Sequence, residues 1–287
     1  MRAKSWLVTA TELTVLGALP LLLYSVQHGF PGLHDALIFN HARFRGYTLI
    51  TSAYVHHSES HLLNNLFGYG RIALFPYIFC RLSGHRQWFR RTMVALLLVL
   101  PVLSGLTNYF VLPHLYPEVI PLSAGFSSIV AGFVAFLCVA LGRYLWTEYD
   151  GLVAGTATAI GGFCLVALLE IRWYGTVRPI VGGVVGLGFL TVVSWYLQQR
   201  AFSVGLGPQP GLRLFEGVVI AMGWVVLGSL IWDLLPVLPT PDPTGMRVNP
   251  IGHAAGLIWG TVLAAGTTQL PEQPTVSHSS TRTGRHH

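Results

Sequence analysis

Apolar residues run along the chain in stretches of about 20, the length an α-helix needs to cross the hydrocarbon of a bilayer. The segments between and beyond them hold most of the arginine. Eight ranges follow from this pattern: 6–26, 61–81, 92–112, 124–146, 151–171, 177–198, 213–236 and 249–267. They predict an all-α fold, a polytopic membrane helix bundle with about eight transmembrane helices over 1–267. The glycine-rich runs 151–163 and 182–188 are places where helices would break or merge. Between the first two spans, 27–60 carries Phe30, Leu33, Leu37, Ile38, Phe39, Phe44, Tyr47 and Tyr54 among glycine and histidine. It is too apolar for a solvated loop and too interrupted to span, so an interfacial or partly embedded loop is expected. The Thr/Ser/Pro/His-rich stretch 268–287 is expected to be a disordered cytoplasmic tail. Leu7–Val26 is long enough to span and lacks an evident cleavage site, so it reads as a retained first span. No internal repeat or soluble domain stands out.

Composition agrees: 52% of residues are hydrophobic and 10% charged, against roughly 25% charged in soluble domains. The net charge of +6 does not point to nucleic acid, because the arginines fall between apolar runs rather than on one surface. With eight alternating helices, Arg2, Lys4, Arg81, Arg86, Arg90, Arg91, Arg143, Arg200, Arg213, Arg282 and Arg285 share one side. Arg43, Arg45, Arg172, Arg178 and Arg247 take the other. The excess places both termini in the cytoplasm, and the plasma membrane is the expected location. Cys80, Cys138 and Cys164 lie in apolar runs and read as small hydrophobes. Pairs at i, i+4, namely Gly151/Gly155, Gly182/Gly186, Gly256/Gly260 and Ser128/Gly132, are expected where helix backbones approach closely. Glu12 and Arg71 are embedded charges, expected to pair, or Arg71 to bond backbone carbonyls.

The second, fourth and eighth spans run from outside to inside. His61 and Asn65, Ser127 and His253 therefore all fall in first turns, within roughly 10 Å of the outer interface at 1.5 Å per residue. His61 and Asn65, four apart, share a helix face. These residue types suit acyl transfer. Ser127 is a poor nucleophile until a base takes its proton, and neutral imidazole at His253 serves near pH 7. His61 and the Asn65 amide, with the Ser127 N–H, are candidate donors to an oxyanion, typically worth ~3 kcal/mol each. Gly125 would admit a substrate backbone. Taken singly, each has a plainer reading: a helix cap or packing residue at Ser127, interfacial or interhelical polar groups at His61 and Asn65, a packing histidine at His253. The run His56-His57-Ser58-Glu59-Ser60-His61 suggests metal, but it lacks the His-Glu-x-x-His of zinc proteases, and neither metal nor cofactor is expected. Asp233 or Asp242 are candidates for an acidic third member, and the spacing points to neither.

His61-x-x-x-Asn65, Gly125-x-Ser127 and His253-x-x-Gly256-x-x-x-Gly260, in this order and with one sidedness, resemble the rhomboid intramembrane serine proteases. Phe44-Arg45 stands where that family often has Trp-Arg, and His56 also has a counterpart. The resemblance covers about 40–146 and the last helix. It implies that Ser127 is the nucleophile, His253 its base, and His61 and Asn65 part of the oxyanion site. It also implies a cofactor-free protease of single-span membrane proteins whose helices unwind easily near their outer ends. The chain departs from the family pattern at Ser128, where a second glycine is usual, and at Ala131, where many members carry an aromatic. It also has three helices, rather than one, between serine and histidine; two added helices preserve parity. The rival readings are a catalytically inactive rhomboid-like binding or quality-control factor, and a transporter, for which inverted repeats would be expected.

Overall fold

The structure is a computed structural model that describes residues 2–115, 122–149, 151–202, 214–234 and 249–268. The proposed tail lies almost wholly outside these residues, as does Asp242. Long helices cover the apolar ranges: α1 (Arg2–Gly29), α4 (Glu59–Leu82), α5 (Arg86–Leu98), α6 (Leu100–Leu115), α7 (Ser127–Glu148), α8 (Gly151–Tyr174), α9 (Pro179–Phe202), α10 (Leu214–Leu234) and α11 (Pro250–Thr268). The glycine-rich runs neither break nor merge α8 and α9. Among the described residues, five stretches are long and apolar enough to cross a membrane: Thr9–Gly29, Arg86–Leu115, Ser127–Glu148, Gly151–Arg172 and Pro179–Gln198. This is a multi-pass membrane protein with an all-helical bundle. Helix α4, which carries Arg71 and Arg81, is not among the five, nor are α10 and α11; α10 holds the shorter apolar run Ile220–Trp232.

The loop between α1 and α4 is folded. It contains the short helices α2 (His34–Leu37) and α3 (Thr48–Thr51) and a strand β1 (Phe39–Asn40) that pairs antiparallel with β2 (Leu122–Ser123). These strands were not expected from the sequence. They tie the loop to the residues just before α7, and Ile38, Phe39, Leu49 and Val55 are buried beneath.

Side-chain contacts fix the helix directions. Along α4 and α7, His61 lies at Gly125 and Gly68 at Val130, and the Phe79 ring packs at a tilt against Tyr144, so the two helices run parallel. On α11, Gly256 meets Ala131 and Gly260 meets Gly132 and Ala135, so α11 is parallel to both. Helix α10 is antiparallel to α4: Leu230 packs at Gly68 and Phe79 at Gly223. Thus α4, α7 and α11 start at one end of the bundle, with α7 between the other two.

Two prolines shape the core. Proline leaves the carbonyl four residues earlier without its helical donor. Pro20 frees the Leu16 carbonyl, which accepts from Tyr69 Oη (3.3 Å). Pro101 frees that of Leu97, which accepts from Tyr54 Oη. The second case coincides with the break between α5 and α6 at Val99, where one continuous span was expected.

The embedded charges pair differently from expectation. The Glu12 carboxylate is held by Arg86 (2.5 Å), Arg90 (2.7 Å) and Tyr77 Oη (3.1 Å). Because α1 is antiparallel to α4, Glu12 lies level with Tyr77. Arg71 is six residues away, about 9 Å along the helix at 1.5 Å per residue. Arg71 Nε instead donates to the Phe67 carbonyl (3.4 Å), the other arrangement expected.

The glycine pairs divide. Ser128/Gly132 and Gly256/Gly260 do meet, α7 against α11. Gly155 and Gly186 face open space, Gly151 lies against Trp146, and Gly182 has Val177 alone beside it. The close approaches among α8, α9 and α10 fall instead at Gly161 under Trp224, Gly188 under Phe163 and Gly228 under Leu168.

Candidate active site

Each of the three helices that carry the predicted site residues is started by its own sequence. Ser58 is extended and its Oγ accepts from the His61 N–H (3.2 Å), an N-cap that sets His61 in the first turn of α4. Asn249 Oδ1 accepts from the Gly252 N–H (2.9 Å), with Pro250 at the first helical position, where its missing N–H costs nothing. Asn249 Nδ2 also donates to Asn108 Oδ1 (3.1 Å), which pins the start of α11 to buried Asn108 on α6. Ahead of α7, Gly125 has φ +125°, a backbone that L side chains avoid, and its N–H donates to the Ser52 carbonyl (2.9 Å).

These starts converge. The His61 ring lies on Gly125: a Cβ there would sit 2.5 Å from Cε1 and 2.9 Å from Nε2. Gly68 faces Val130, so Asn65, between His61 and Gly68, is level with the Ser127 turn. Gly256 faces Ala131, one turn after Ser127 on the same face of α7. His253, one turn before Gly256, is level with Ser127 from the opposite side. The structure therefore brings His61, Asn65, Gly125, Ser127 and His253 to one end of the bundle, around the half-buried start of α7.

His253 is 6% exposed, and its Nδ1 is 2.6 Å from the Leu234 carbonyl. A carbonyl only accepts, so Nδ1 carries the proton and Nε2 keeps its lone pair. Leu234 is the last residue of α10, where helices leave carbonyls unpaired. This backbone group was not legible in the sequence. Ala131 lies under Gly256, where a Cβ on Gly256 would stand 2.8 Å from that of Ala131. An aromatic at 131 would therefore collide with α11. Ser128 Oγ lies 3.4 Å from Ser104 Oγ on α6.

Asn65 is 6% exposed, and its Nδ2 is buried without a hydrogen-bond partner. An unmade buried donor costs about 1–3 kcal/mol, and such an exception in a native core calls for a role.

Compared with protein-family models, curated proteins and solved structures, the chain matches none. Its chemistry is read from its own geometry.

A serine–histidine contact sits nearby: His41 Nε2 lies 2.9 Å from Ser123 Oγ, linking the loop to β2. His41 is 9% exposed between Phe39 and Tyr109, and burial pushes its pKa down to about 4. That makes it a weak base and a structural tie. His56 is pushed further, to about 3, by burial and then by His61, His34 and His57. A histidine with its folded pKa depressed binds protons more readily when unfolded. Its contribution to stability is complete above the unfolded value near 6.5 and is lost as pH falls toward the folded value. The melting temperature in detergent is therefore expected to fall steadily from pH 6.5 to 4, with His41 accounting for on the order of 3 kcal/mol. In a His41→Asn variant that pH dependence should be shallower; an identical slope would refute the assignment.

Proposed function

We propose that the chain is a rhomboid-type intramembrane serine protease that crosses the bilayer eight times, with both termini cytoplasmic and Ser127 opening to the outer side. The observation that carries this reading is the Nδ1–H bond of His253 to Leu234. It leaves a basic nitrogen on a ring level with Ser127. In the proposed reaction Nε2 takes the Ser127 hydroxyl proton as Oγ attacks the scissile carbonyl carbon. The carbonyl oxygen becomes an oxyanion, met by Asn65 Nδ2, His61 and the first-turn N–H of Ser127. The imidazolium returns its proton to the leaving amine and the acyl-enzyme forms. Water then gives a proton to Nε2 as its oxygen attacks the ester carbonyl carbon, and the imidazolium returns that proton to Ser127 Oγ as the acyl C–O bond breaks and the carboxylic acid product leaves. No metal or cofactor takes part. The partners are transmembrane protein substrates, cut in or near their membrane segments, and the lipid bilayer; the plasma membrane is the proposed site. Helix α9 rests mainly on α8, and α8 lies on both α7 and α10, whereas α10 packs on α4 as well as α7. Helices α8 and α9 are accordingly the pair we assign as additions to a six-helix core.

The experiment is co-reconstitution of the purified chain with single-span substrates. Wild type should cleave them, and Ser127→Ala and His253→Ala should each lower the rate at least ~10³-fold, with the melting temperature of Ser127→Ala unchanged. A wild type that binds such proteins without cutting them would favour the inactive-binder reading.

A further inference from the structure

The outer end of α1 grips the loop residue that precedes α4. Gln27 Oε1 accepts from the His56 N–H (3.1 Å), and Gln27 Nε2 donates to the His56 carbonyl (3.0 Å). One side-chain amide thus takes both main-chain groups of a single residue. His34 Nε2 donates to the same carbonyl. The His56 ring held in this way is fully buried, and its Nε2 accepts from the Phe126 N–H (3.3 Å). Phe126 is the residue before Ser127.

Two features indicate that the ring is held rather than merely accommodated. With Nε2 accepting, its proton must sit on Nδ1, which is buried and has no partner. A ring free to choose its own pose would not leave that donor unmade. The acceptor role also requires a neutral ring, which the burial and neighbouring histidines enforce. Glutamine suits the clamp because its amide offers a donor and an acceptor side by side. Glutamate lacks the donor, while lysine and arginine lack the acceptor.

We infer that Gln27 is a positioning residue: through His56 it fixes the Phe126 backbone and hence the direction in which α7 presents the Ser127 hydroxyl. This rests on the reading of Ser127 as nucleophile. Gln27 touches no reacting atom. Its effect therefore belongs in turnover rather than in substrate affinity, since a small misalignment of a nucleophile is costly to rate.

The test compares Gln27→Leu, Gln27→Glu and Leu23→Ala with wild type. Leu23 is fully buried on the same helix, and truncating it loosens α1 while keeping the Gln27 amide. Amide exchange at Phe126 and the kcat and KM for a reconstituted single-span substrate are measured for each. Gln27→Leu should speed exchange at Phe126 and lower kcat, each by ~10-fold, with KM within twofold. Gln27→Glu, which keeps the acceptor, should recover part of both. Leu23→Ala should lower the melting temperature but leave exchange at Phe126 and kcat near wild type. Unchanged exchange in Gln27→Leu, faster exchange with unchanged kcat, or a Leu23→Ala variant that mimics Gln27→Leu would each overturn the assignment. If wild type itself neither cleaves nor reacts at Ser127, the protease reading fails. The exchange measurement still decides whether Gln27 holds the Phe126 backbone.

Discussion

Replacing Gly256 by alanine is expected to lower kcat/KM for a reconstituted substrate by at least ~100-fold. The added methyl would overlap the Ser128 carbonyl oxygen and stand 2.8 Å from Ala131 Cβ. Carbon atoms pack at about 3.5–4.0 Å, so α11 must withdraw from α7 by roughly 1 Å. His253 lies one turn away on the same rigid helix and moves with it. A misplacement of that size between nucleophile and base costs on the order of 10² in rate. Gly260→Ala should behave similarly, since its Cβ would meet Gly132 Cα at 2.6 Å. Gly266→Ala is the control: it lies further along α11 with nothing within 4 Å, and its activity should equal wild type. Equal activity in all three variants would mean that the α7–α11 contact does not set the position of His253.

Glu12→Ala is expected to destabilise the protein by about 3 kcal/mol, the lower end of the cost of removing one partner from a buried ion pair. The substitution leaves Arg86 only 27% exposed without its carboxylate, and of the polar ties between α1 and the α4–α5 turn it leaves the bonds of Arg81 and Arg86 to Thr9 Oγ1. Arg71→Leu should change stability by less than ~0.5 kcal/mol, because Glu12 is held elsewhere. Unfolding both variants in mixed detergent micelles reads the difference directly. A large loss on Arg71→Leu with none on Glu12→Ala would return the pairing to the residues first suggested by their embedding.

Much of the helical framework was legible because twenty-residue apolar runs have few alternatives in lipid. The starts of α4 and α11 carry local signals in Ser58 and Asn249-Pro250 that hydropathy alone does not use. Parity then placed His61, Asn65, Ser127 and His253 at one end, and the directions of α4, α7 and α11 agree. What was not legible depends on how elements align. Glu12 finds Arg86 and Arg90 rather than Arg71 because an antiparallel neighbour sets the level, and hydropathy does not report level. The strands Phe39–Asn40 and Leu122–Ser123 are two residues each, too short to leave an alternating pattern. The α5–α6 break had a signal in Pro101, masked by the apolar residues around it. The Leu234 carbonyl is a backbone group, for which residue identity carries no information. Gln27 has no motif, and its role follows from reach alone. Glycine spacing was informative only where two such stripes face each other, as at Gly256/Gly260 and Ser128/Gly132.

The central claim is that His253 activates Ser127. Treatment with an alkyl fluorophosphonate, followed by intact-mass measurement and peptide mapping, tests it most directly. Wild type should carry one adduct, on Ser127, and His253→Ala should acquire it at least ~100-fold more slowly. An adduct on Ser123 instead, or labelling of Ser127 at an undiminished rate without His253, would contradict the account.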